Sequence, residues 1–155
     1  MNTKSPNESR VEMTELVLPV HTNALGTIFG GQIMAWIDTA AAICAFRHCR
    51  NMCVTASMDA LTFLSPVKLG YIVILRANVN YTSRTSMEIG VRVTAEDPLT
   101  GIENHTSSAY LTFVAVNEKG QPVPVPSVLP NTDLEKKWYA EGKKRREDRL
   151  ANRVV

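Results

Sequence analysis

Asp38 is the only acidic or basic side chain between Ile28 and Phe46, a stretch otherwise built of apolar, small and uncharged residues. Taking a carboxylate out of water costs several kcal/mol unless it is paired or faces a wet cleft. Asp38 therefore either caps a neighbouring loop or meets an arginine, or it works as a general base or nucleophile. Eight residues earlier stands Gly30-Gly31. At the start of a helix such a pair exposes unpaired backbone N–H groups at the positive end of the dipole, and the missing side chains let a carbonyl oxygen come close. That is the raw material of an oxyanion hole; the plainer reading is a pair of glycines that lets the loop turn or pack. At a rise of 1.5 Å per residue the two features lie roughly 12 Å apart along one helix. One chain cannot join them, but two such helices running antiparallel across a two-fold axis can.

Other chemistries find little support. There is no G-x-S-x-G for a serine hydrolase, and no P-loop or dinucleotide fingerprint. His21, His48 and His105 are scattered, and Cys44, Cys49 and Cys53 form no C-x-x-C pair, so both sets read as structural and no metal site is expected. An odd number of cysteines fits reduced thiols in the cytoplasm. The first ten residues are polar and lack the apolar core of a secretion signal. The longest apolar run is too interrupted to span a membrane, so no membrane partner is expected.

The elements that must position Asp38 follow from pattern. The chain has 155 residues, 45% hydrophobic and 21% charged, the balance of one globular domain. Residues 11–18 read as a first strand, 21–31 as a loop and 31–48 as one long helix, apolar on nearly every side and so expected to be buried. Four strands follow. The first, 54–64, ends at Ser65-Pro66. Strict alternation then marks two half-buried strands, Tyr71 to Tyr81 and Met87 to Ala95, joined by a short polar turn, and a last strand runs from His105 to Val116. Short turns suggest antiparallel neighbours. The fold class is α+β, an antiparallel sheet curled around one helix. Residues 122–130 hold four prolines and form an extended strap. Residues 1–132 make the domain and 133–155 a charged helical tail.

The tail holds eight Lys/Arg and five Asp/Glu, while the chain as a whole carries a net charge of +2. Interleaved signs make it a solvated helix with internal ion pairs, so no nucleic-acid partner is expected; contact with a phosphate of a ligand is the open alternative.

The run from Asn23 to Gly31, Trp36-Ile37-Asp38, Arg47-His48-Cys49, Val54 to Asp59 and Tyr81 to Glu88 together resemble the hotdog-fold acyl-CoA thioesterases, in particular the cytosolic acyl-CoA hydrolase branch. The resemblance spans about residues 11–120. It implies a hotdog fold of five or six antiparallel strands wrapped on one helix, a homodimer that commonly assembles to a hexamer, and hydrolysis of acyl-CoA to fatty acid and CoA without a cofactor. It implies that Asp38 is the catalytic carboxylate, acting through water or by direct attack. The amide of Gly30 or Gly31 from the opposing subunit would polarise the thioester carbonyl, and Asn23 would orient the thioester or the water.

Two positions depart from the pattern: Phe29 stands where many members have histidine, and Thr27 where some have asparagine. Thr27 is kept as a substrate-binding residue. The turn Ser83-Arg84-Thr85-Ser86 offers hydroxyls, amides and a guanidinium to the CoA phosphates, with Lys68 as a weaker helper. Asp59 reads as structural. The rival function is an acyl-CoA sensor that binds without catalysis; a hotdog dehydratase fits less well, because it would want a histidine where Phe29 stands.

Overall fold

The computed structural model describes residues 2–153, apart from the side chain of Ala60. Its centre is helix α1, Gly30–Cys49. Ile33, Trp36, Ile37, Ala40, Ala41, Cys44, Ala45 and His48 recur at helical spacing and are buried. The other side is not. Gly31, Met34, Ala35, Thr39 and Phe46 are exposed, and Asp38 and Ala42 are half-buried along the same strip. The expected all-round burial is thus found on one face only, and a largely apolar strip carrying Asp38 is left open. The helix ends where Arg50 turns into the left-handed region (φ 49°) and donates its N–H to the carbonyl of Phe46.

Strands β2 (Val11–Leu16), β3 (Cys53–Phe63), β4 (Ile72–Thr82), β5 (Ser86–Glu96) and β6 (Glu103–Ala115) form one five-stranded sheet in the order β2-β4-β5-β6-β3, antiparallel throughout. Two short strands, β1 (Thr3–Lys4) and β7 (Ser127–Val128), pair in parallel beside it. The alternating rows read from the sequence in β4 and β5 are core rows. Val73, Leu75, Ala77 and Val79 of β4 and Met87, Ile89, Val91 and Val93 of β5 pack with α1 in one cluster, which Ala109, Leu111, Phe113 and Ala115 of β6 join.

The strand order corrects the expectation that consecutive strands are neighbours. β3 pairs with β6 at the far edge, not with β4. The cause lies in the segment between β3 and β4, which is held by the loop before α1 instead of closing a hairpin. Ile28 N–H donates to Val67 O, Leu69 N–H to Gly26 O and Gly70 N–H to Val17 O, and these bonds carry the chain across the end of the sheet.

β3 also breaks period-two counting. Its register with β6 shifts between Thr55 and Ser57 and again between Asp59 and Thr62. Each bulge adds a residue and resets which face a side chain meets. Thr55 reaches α1, where its hydroxyl donates to Asp38, whereas Asp59 pairs with Arg149 of the C-terminal helix on the other face.

The proline strap is pinned at the C-terminal end of α1: buried His48 donates Nε2–H to Pro126 O (2.7 Å), and Val125 N–H donates to Arg84 O. Burial holds the imidazole below its ordinary pKa, so it stays neutral. Helix α2, Asp133–Ala151, starts with a capping box in which Thr132 Oγ1 accepts from Glu135 N–H and the Glu135 carboxylate accepts from Thr132 N–H. It has the internal pairs Lys137–Glu141 and Lys144–Asp148. It is also docked. Arg145 grips buried Glu88 through two bonds (2.7 and 3.1 Å) and stacks over Tyr110, Arg149 meets Asp59, and Glu135 binds Arg10.

Candidate active site

The N-terminus of α1 is built to stay bare. Phe29 at the cap position offers no side-chain acceptor, and its own N–H is spent on His21 O. Among the described residues the first amides of the helix, on Gly30 and Gly31, meet no acceptor and are free to serve a ligand. The glycines are also tightly fitted. A Cβ on Gly30 would come within 3.3 Å of the Phe63 ring, and one on Gly31 within 3.3 Å of the Phe29 ring. Beside Gly30 opens a cleft of about 330 Å³ walled by Ile28, Ile33, Phe63, Leu64 and Val67, with Thr106 and Ser107 also in its lining.

Asn23 and Thr27 form one hydrogen-bonded unit in the loop before the helix. Asn23 Oδ1 accepts from the N–H of Leu25 and of Thr27, and Asn23 Nδ2 donates to Thr27 Oγ1 (3.1 Å). This is an Asx turn. It commits the Asn23 oxygen to the loop and leaves the second amide hydrogen as the group with which Asn23 can act on a ligand. Thr27 is spent largely on holding Asn23.

Asp38 lies two turns down α1, half-buried, on the open strip. The Thr55 hydroxyl donates to its Oδ1 at 2.8 Å. Among the described residues no lysine or arginine makes an ion pair with it. Thr55 is the site residue that sequence reasoning missed. It was visible only as one member of a strand face, and the bulge that turns it toward Asp38 leaves no mark in the hydrophobic pattern.

Within one chain these groups stay apart, as the helix rise requires. Gly30, Asn23 and Thr27 cluster at one end of α1. The Ser83–Ser86 turn lies at the other, beside Ala115, Val125 and the strap. Its two serine hydroxyls bond each other, Thr85 O accepts from Ala115 N–H, and Arg84 is exposed. The turn is thus rigid, with the guanidinium as its free end. Lys68 bridges to Thr27 and so belongs to the opposite end.

The remaining candidates sit elsewhere. His21 stacks edge-on against Trp36, and His105 binds within its own strand. Burial pushes the Cys44 thiol up to about 12. Cys49 is drawn down to about 6, mainly by a hydrogen bond from Cys53, whose own thiol is pushed up by the same contact. Among the described residues no cluster of three or more His, Cys, Asp or Glu could hold a metal, and no helix is long and apolar enough to cross a membrane.

Residues 25–102, half of the chain, match the family model described as the thioesterase superfamily. An uncharacterized acyl-CoA thioester hydrolase of Bacillus subtilis (strain 168), YkhA, is 44% identical over 133 residues, 86% of this chain and 77% of the relative. A hexameric acyl-CoA thioesterase solved in its apo form superposes with a TM-score of 0.92 at 44% identity, covering 99% of this chain and all of that one. The acyl-CoA hydrolase of Staphylococcus aureus, solved with butyryl-CoA, CoA and CoA disulfide, superposes with a TM-score of 0.90 at 40% identity, covering 96% of this chain and 91% of that one. Solved structures of that enzyme include alanine variants of an aspartate, a threonine and an asparagine, the last bound to CoA. The α+β architecture of a sheet wrapped on α1 is the hotdog fold expected from the sequence, and the chain belongs to the thioesterase superfamily.

Proposed function

We propose that the chain hydrolyses acyl-CoA thioesters to the free acid and CoA, in the cytoplasm, at a site shared by two copies of itself. One observation carries the reading. The open strip of α1 has bare amides at its first turn and, two turns on, a carboxylate held by the Thr55 hydroxyl. Two such strips crossing antiparallel cover each other's apolar residues and set Asp38 of one copy near Gly30 and Gly31 of the other. The long edge strand β3 supports the same pairing, since an unpaired edge invites a second copy. So does residue spacing. In the S. aureus enzyme the asparagine, aspartate and threonine replaced by alanine follow one another at intervals of fifteen and seventeen residues, the intervals that separate Asn23, Asp38 and Thr55. The hexameric neighbour supports assembly of such dimers into a hexamer.

In this site the helix amides donate hydrogen bonds to the thioester carbonyl oxygen, on which negative charge builds as the carbonyl is attacked. Asp38 takes a proton from water as the water oxygen bonds to the carbonyl carbon, or attacks that carbon itself. The tetrahedral species then expels the CoA thiolate; on the water route the thiolate takes the proton from Asp38 and the free acid is already formed, and on the direct route water splits the acyl anhydride of Asp38 to release the acid and supplies the proton. The free N–H of Asn23 orients the thioester or the water. Across the two-fold axis the Ser83–Ser86 turn lies at the end of α1 that meets the partner's Gly30, so Arg84 can receive the CoA phosphates there. The acyl chain runs into the apolar cleft beside Gly30. No cofactor takes part; CoA is a piece of the substrate.

The direct test is Asp38→Asn, which keeps size but removes the base. Turnover of butyryl-CoA and palmitoyl-CoA, followed as free thiol, falls at least about 100-fold with the fold intact. A loss under about tenfold rejects Asp38 as the catalytic group. Binding by the native protein without any release of CoA would favour a sensor instead.

A further inference from the structure

Ser107 is 1% exposed, and among the described residues its hydroxyl has no hydrogen-bond partner. It opens a row on β6 that continues as Ala109, Leu111, Phe113 and Ala115, all of them in the apolar core. A serine in that row leaves a buried polar group unsatisfied where alanine would not. The neighbouring Thr106, 3% exposed, shows the ordinary solution: its hydroxyl donates to Val93 O. Both residues line the cleft beside Gly30, whose walls are otherwise mostly apolar, and of their two hydroxyls only that of Ser107 is left without a partner among the described residues. The other buried unpaired side-chain atoms, on Ser9 and His48, do not line that cleft.

Position fixes what this hydroxyl can meet. Phe63 lies against Gly30, and Phe63 is the cross-strand partner of Ser107, so Ser107 lies roughly 5 Å along the sheet from the Phe63 backbone. An acyl chain whose carbonyl is held by the amides at Gly30 therefore passes Ser107 within its first few carbons. A plain alkyl chain there leaves the hydroxyl unsatisfied; a chain bearing an oxygen satisfies it.

We propose that Ser107 is a specificity-determining residue that makes the cleft select acyl groups carrying a hydroxyl or oxo oxygen near the thioester over plain alkyl groups of the same length. This rests on the reading of the chain as an acyl-CoA hydrolase. Sites that hydrogen-bond a substrate oxygen discriminate strongly against the analogue that lacks it, because the protein group is then left unpaired.

The test compares kcat/KM for hexanoyl-CoA, 3-hydroxyhexanoyl-CoA and 5-hydroxyhexanoyl-CoA. The native protein is expected to favour one of the hydroxyacyl substrates by about tenfold or more. Ser107→Ala is expected to bring that ratio to within about twofold. Ser107→Thr, which keeps the hydroxyl, retains the preference. Equal rates on all three substrates in the native protein, or a preference that survives Ser107→Ala, overturns the assignment of Ser107 while leaving the hydrolase reading standing. No CoA release from any of the three overturns the hydrolase reading, and this inference with it.

Discussion

The two helices of this chain are nearly equal in length, and their N-termini are treated in opposite ways. α2 begins with Thr132 and Glu135, which cap each other's backbone amides, and Glu135 is further bound to Arg10. α1 begins with Phe29 and two glycines and has no side-chain cap. α2 is mostly polar and charged, so local devices such as caps and i,i+4 pairs hold it together. α1 is held by burial of one face against the sheet and can leave its first amides unsatisfied at little risk. The lesson is that an unmet hydrogen-bonding need, placed where the fold does not require it to be met, is what a ligand can use.

Exchanging the two treatments should break the contrast. Giving α1 a cap with Phe29→Asp places a carboxylate on the amides that the thioester needs. Turnover is expected to fall about 100-fold, with Tm changed by no more than a few degrees. Retained activity would mean that the amides are idle. Next in size is Thr55→Val, which removes the hydroxyl that holds Asp38 and keeps the shape. About a tenfold drop in kcat is expected, with CoA affinity unchanged; equal kcat would reduce the Thr55 contact to packing. The smallest effect belongs to α2. Thr132→Ala is expected to lower stability by about 1 kcal/mol in chemical unfolding and leave kcat per folded protein as it was.

Much of this was readable in the sequence, and the unreadable part has physical causes. The alternating rows of β4 and β5 emerge within a residue of their observed bounds because one face of each is buried, and Asp38 stands out because it is the single charge in an apolar run. Strand order was not legible. It depends on backbone bonds between the segment after β3 and the loop before α1, which have no side-chain signature. Thr55 escaped notice because the bulge between Thr55 and Ser57 resets the alternation, sending Thr55 and Asp59 to opposite faces. The pairing of β1 with β7 is two residues long, too short to pattern. The docking of α2 was hidden because Arg145 and Arg149 look like ordinary surface charges until Glu88 and Asp59 are placed beneath them.

The central claim is that the carboxylate of one copy works with the helix amides of another, and mixing two dead variants tests it most directly. Asp38→Asn lacks the base; Gly30→Pro combined with Gly31→Val lacks one amide and blocks the other. Unfolded together and refolded as mixed oligomers, they should regain about a quarter of native activity per site, since half the dimers are mixed and each of those holds one intact site. Mixed oligomers as inactive as either parent would place both groups in one chain and contradict the shared site.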